Sequence, residues 1–106
     1  MEHSVRDGGK AVVVSLSGEV DLESSPRLRE LLLGLVRDGR DILVDLSAVS
    51  YIDSSGVASL IEAFQLARRS GPAFALVAPS AAALRVLQLA RLDRVFHIHA
   101  TLAEGL

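Results

Sequence analysis

Three short apolar runs, Ala11-Val12-Val13-Val14-Ser15-Leu16, Ile42-Leu43-Val44-Asp45-Leu46 and Ala73-Phe74-Ala75-Leu76-Val77-Ala78, are separated by stretches whose leucines recur at helical spacing. Runs of this kind, rich in β-branched residues and bounded by Gly and Pro, read as strands, and the stretches between them read as amphipathic helices. Strands that alternate with helices leave few folds open, and the chain is expected to form an α/β domain with a mixed, mostly parallel sheet.

Gly8-Gly9 precede the first run and Gly18 follows it, and Val5 with its neighbours is placed to pair with it as a hairpin. After Ser24-Ser25, Pro26 occupies the place a helix favours for its first residue, and Leu28, Leu31, Leu32, Leu35 and Val36 mark one face up to Gly39. Beyond Leu46 a polar stretch leads to Asp53, after which Val57, Leu60, Ile61 and Phe64 predict a second helix ending near Ser70-Gly71-Pro72. The run from Ala73 to Ala78 is apolar on both faces, as suits the middle strand of a covered sheet. Ser80 is expected to cap a third helix carrying Leu84, Leu87 and Ala90 on one side, and Val95-Phe96-His97-Ile98 to form a last short strand. Thr101 to Glu104 has capping-box spacing for a terminal helical turn. The pattern gives about five strands and about four helices in one domain over residues 1–106.

Size and charge narrow the function. A chain of 106 residues with 50% hydrophobic composition supports one core, not two. It has no cysteine, which excludes disulfide scaffolds, thiolate metal sites and cysteine nucleophiles. The net charge is −2, aromatics are only 4%, and the arginines are interspersed with acids, so nucleic-acid binding is set aside. The segment Met1 to Arg6 lacks the apolar core of a secretory signal and no apolar run is long enough to span a bilayer, so the expectation is a cytoplasmic protein with no membrane insertion. A protein partner or a small molecule remains.

In parallel sheets the functional loops lie beyond the carboxyl ends of the strands. Gly18 to Ser25 and Ser47 to Ser55 both follow strands and lead into helices, and are expected on one rim. The second contains Asp53-Ser54-Ser55-Gly56. Asp53 or Ser54 suffices to cap the helix, contributing about 1 kcal/mol. A second hydroxyl at Ser55, followed by a glycine with no side chain to shield it, is more than capping requires. A phosphate on Ser55 would bring roughly −1.5 to −2 charges to the positive end of a helix, which tolerates them. A partner docked over the same rim would face that charge beside Asp21 and Asp53, and a penalty of ~3 kcal/mol weakens binding about a hundredfold.

Other signals are weaker. Gly34 to Gly39 has the glycine spacing of a phosphate loop, but Arg40-Asp41 replace its Lys-Ser/Thr and the segment ends a helix. Ser54 and Ser55 lack the upstream glycine of a hydrolase nucleophile elbow. His97 and His99 share a strand face without an evident third ligand, and Glu19, Asp21 and Glu23 read as solvated, so neither metal nor cofactor is called for.

Val44-Asp45-Leu46-Ser47 through Tyr51-Ile52-Asp53-Ser54-Ser55-Gly56-Val57 resembles the signature of the STAS family, best known from bacterial anti-sigma factor antagonists. Leu16-Ser17-Gly18-Glu19-Val20-Asp21 resembles the same family's first turn, and the order of elements fits over essentially the whole chain. The resemblance implies that Ser55 is phosphorylated by a cognate anti-sigma factor that is also a serine kinase, with Ser54 as the alternative acceptor. It places Asp21, Asp53, Ser54 and Gly56 around that site in partner and kinase recognition. Phosphorylation would end binding and a PP2C-type phosphatase would restore it. The chain would not be an enzyme, since a kinase brings the ATP, magnesium and base. STAS domains also serve as constitutive accessory subunits of lipid-transporting ABC complexes and anion transporters, which is the alternative reading. A ligand-binding domain for a nucleotide or lipid is a third, for which no dedicated motif is present.

Overall fold

The computed structural model describes all 106 residues. Its strands are β1 (Glu2–Asp7), β2 (Val12–Val20), β3 (Ile42–Ile52), β4 (Phe74–Val77) and β5 (His97–His99). Its helices are α1 (Ser25–Arg37), α2 (Ser54–Ser70), α3 (Ala81–Leu89) and α4 (Leu102–Gly105), with a 3-10 turn over Leu92–Arg94. The single sheet runs β1-β2-β3-β4-β5, with β1 antiparallel to β2 and every other pair parallel. The expected hairpin and the mostly parallel sheet are therefore present.

Alternation along the strands sorts the residues into two layers. Val12, Val14 and Leu16 of β2, Ile42, Val44 and Leu46 of β3, and Phe74 and Leu76 of β4 face one side. There they meet Leu28, Leu32 and Val36 of α1, Val57, Leu60 and Phe64 of α2, and Ala83 and Leu87 of α3 in one core. Phe64, Phe74 and Phe96 close its lower end, with ring centroids 5.2 to 6.4 Å apart. The opposite face carries a small cluster of Ala11, Leu43, Ala75 and Val77, covered by Leu102. Gly105 seats the terminal turn there, because a Cβ at that position would stand 2.8 Å from Val77.

Four expectations are corrected. The middle strand is β3, not the Ala73–Ala78 run, although β4 is buried along its whole length. On α3 the buried residues are Ala83 and Leu87, which reach the core, with Leu84 half-buried and Ala90 exposed at the cap. At the start of the helix Ser80 accepts a bond from the Ala83 amide (3.1 Å) and donates to the Val49 carbonyl (2.6 Å). The last strand starts at His97, since Val95 and Phe96 are drawn into the turn closed by bonds from both amides to the Leu92 carbonyl.

The fourth correction bears on function. The segments expected as loops begin as strand: β2 reaches Val20, and β3 runs on to Ile52 and takes most of the second segment. Register slips by one residue between Ser15 and Ser17 and again between Gly18 and Glu19, so 11 residues of β3 accompany nine of β2. Such bulges break the alternation that marks a strand in sequence, and Gly18 meets the second with φ +81°. Both strands still end in register, Val20 beside Ile52, which brings the two helix entrances onto one rim.

Candidate functional site

Asp53 is the N-cap of α2 and sits in extended conformation. Its Oδ1 accepts three bonds: from the amides of Ser55 (3.0 Å) and Gly56 (3.1 Å), and from the Ser55 hydroxyl (2.6 Å). The Ser55 hydroxyl above all, followed by the Gly56, Ser55 and Leu22 amides, holds the Asp53 carboxyl below the usual carboxylate range. The Asp53 amide in turn donates to the Val20 carbonyl (3.1 Å), tying the cap to the end of β2.

Exposure divides the two hydroxyls. Ser54 is exposed, whereas Ser55 is half-buried with its proton committed to Asp53. That commitment leaves the lone pairs of Ser55 Oγ free of any hydrogen-bond donor. Gly56 does not expose the serines, as expected from sequence, because it is itself buried. A Cβ there would stand 2.7 Å from Val20 Cγ1, 2.9 Å from Ile52 Cγ1 and 3.0 Å from the Val20 carbonyl. The glycine lets the first turn of α2 sit directly on the strand ends.

Asp21 organises the other entrance. Its Oδ1 accepts from the amides of Glu23 and Ser24, both at 3.1 Å, and from the Ser24 hydroxyl (3.2 Å), while the Ser25 amide donates to its carbonyl (2.8 Å). The structure brings Asp21 and Asp53 to one rim but makes no hydrogen bond between Asp21 and Ser55. The link runs instead through the backbone, where the Asp53 amide reaches the carbonyl of Val20, the residue before Asp21. Glu19, Asp21 and Glu23 line a shallow polar depression together with Arg27, whose guanidinium donates to the Met1 carbonyl (2.7 Å). Nowhere do three His, Asp or Glu side chains converge as metal ligands.

The STAS domain family model matches residues 3–105. The chain belongs to the STAS domain family. The Bacillus subtilis anti-sigma-B factor antagonist is 31% identical over 101 residues, covering 95% of this chain and 92% of the relative. The anti-sigma-F factor antagonist RsfB of Mycobacterium tuberculosis is 33% identical over 104 residues, covering 97% and 84%. The crystal structure of an anti-sigma factor antagonist from Mycobacterium paratuberculosis superposes with a TM-score of 0.85 at 30% identity, covering 97% of this chain and 88% of that one.

Two features of this STAS domain escape a reading of its sequence. Ser59, only 4% exposed, donates to the carbonyls of Ser55 (3.1 Å) and Ser25 (3.2 Å), pinning the two helix entrances together. A serine inside the apolar face formed by Val57, Leu60 and Phe64 was the available signal. The second is Leu22, 74% exposed at the tip of the Asp21 turn. A cavity of about 660 Å³ lies at the opposite end of the parallel strands, over Ile42, Phe74 and Val95, remote from both turns. No helix is long and apolar enough to cross a membrane.

Proposed function

We propose that this STAS domain is an anti-sigma factor antagonist of partner-switching type, whose binding to an anti-sigma factor is ended by phosphorylation of Ser55. The observation that carries the reading is the Ser55 hydroxyl held 2.6 Å from Asp53 at the entrance of α2, on the rim it shares with the Asp21 turn. The antagonists reported above, which cover nearly the whole chain, support it.

In the transfer, Ser55 Oγ attacks the γ-phosphorus of ATP bound to the kinase, the bond to the ADP oxygen breaks, and the hydroxyl proton leaves to the kinase's base. Asp53 orients the hydroxyl before attack, and Ser54 shapes the exposed side of the turn. Asp53 already fills the Ser55 and Gly56 amides, so the phosphate adds its charge outside the cap, next to a carboxylate. The helix end tolerates that charge, and a partner packed over the rim does not. A PP2C-type phosphatase restores the binding form.

The test is incubation with the cognate anti-sigma factor and ATP. One phosphate is expected in the wild type and none in Ser55→Ala, and a phosphate retained in that variant sinks the assignment. In a pulldown, ATP should release the partner. Binding indifferent to ATP supports a constitutive accessory subunit instead.

A further inference from the structure

We propose that Leu22 is the apolar anchor by which the chain docks on its partner, entering an apolar pocket rimmed by Lys and Arg side chains. The inference deepens the proposed function and rests on it. Most leucines of the chain lie in or against the core, whereas Leu22 stands 74% exposed, one residue after Asp21 and on the rim that carries Ser55. Single exposed apolar residues are common on surfaces. This one differs in how firmly it is held.

Its carbonyl accepts the Ser25 hydroxyl (3.3 Å), and the Ser25 amide donates to the Asp21 carbonyl just before it (2.8 Å). The amides of the next two residues are bonded to Asp21. The side chain is thus displayed from a turn fixed on both sides, so little backbone ordering remains to oppose binding. Side chains that fill well-packed, fully desolvated pockets near the centre of a contact are the usual seats of interface energy.

Charge selects the kind of partner. Leu22 lies between Asp21 and Glu23, which with Glu19 line one depression, and Asp53 stands on the same rim, while Arg27 of that depression is engaged with the Met1 carbonyl. A complementary surface therefore offers a hydrophobic hole surrounded by cations. The Asp53 amide donates to the Val20 carbonyl (3.1 Å), two residues before Leu22, so the anchor and Ser55 share one rim and a phosphate there falls within the docked area.

Leu89 provides an internal control, being 78% exposed at the C-terminal end of α3, close in sequence to Arg91 and outside the Asp21 and Asp53 turns. Calorimetric titration of the unphosphorylated full chain into its cognate anti-sigma factor should show Leu22→Ala weakened by about tenfold or more and Leu89→Ala within about twofold. Leu22→Met, which keeps the apolar bulk, should restore most of the affinity. Wild-type binding with Leu22→Ala within twofold overturns the anchor and leaves the proposed function standing. Loss in Leu22→Ala that Leu22→Met does not restore also overturns it, as a structural effect. A wild type that binds no anti-sigma factor overturns both.

Discussion

Two helix entrances stand side by side on one rim, and both are built from an aspartate followed closely by serines. At α1, Asp21 gathers two amides and the hydroxyl of Ser24, which is only 9% exposed and bonded on several sides. At α2, Asp53 gathers two amides and the hydroxyl of Ser55, which is half-buried beside an exposed Ser54. The capping chemistry is nearly the same, so the chemistry of the turn does not make a switch. Access does: one hydroxyl is closed into the fold and the other is only half-buried.

Gly56 is what places the second entrance so tightly on the sheet, and replacing it should give the largest effect on stability. A methyl at position 56 meets Val20 and Ile52 side chains and the Val20 carbonyl inside 3.1 Å. Gly56→Ala should therefore destabilise by about 1–3 kcal/mol, as overpacking does, with the loss read by thermal or urea unfolding. A neutral result would break the view that close seating, rather than backbone freedom, explains this glycine.

The serines themselves should separate next. Ser24→Ala removes a nearly buried hydroxyl that serves the Asp21 amide and carboxylate, and should destabilise by about 1 kcal/mol. Ser55→Ala leaves both amide bonds to Asp53 intact and should change stability by under about 0.5 kcal/mol. Equal losses from the two, measured by the same unfolding assay, would erase the distinction between a structural and a regulatory serine.

The order of strands and helices was legible because it is written in apolar periodicity, and Pro26, Ser80 and Gly71 marked helix ends where the structure has them. The Asp53 cap and the shared rim were legible too. What the sequence concealed comes from tertiary contact. The two bulges of β3 scrambled the alternation from Ser47 to Tyr51 and made strand look like loop. The burial of Gly56 depends on Val20, a residue of another strand, and no local pattern reports it. The same holds for Ser59, whose partner Ser25 belongs to the neighbouring helix, and for the tie between the Asp53 amide and the Val20 carbonyl.

The smallest effect tests the electrostatics of the second entrance. The Asp53 carboxyl is held below its ordinary range, first by the Ser55 hydroxyl and then by backbone amides. A group whose ionisation is easier in the folded state stabilises the fold above its unfolded pKa, and that contribution is lost as pH falls through the folded value. Asp53→Asn keeps an oxygen that accepts the same two amides but carries no charge, so the gap in Tm between wild type and variant isolates the ionic part. That gap should hold steady between about pH 6 and 8 and close as pH falls below about 4. Because the Ser55 hydroxyl is the first cause of the shift, Ser55→Ala should move the closing of the gap to higher pH. A gap that widens on acidification has the wrong sign and would mean that the Asp53 charge is tolerated at the α2 entrance rather than used there.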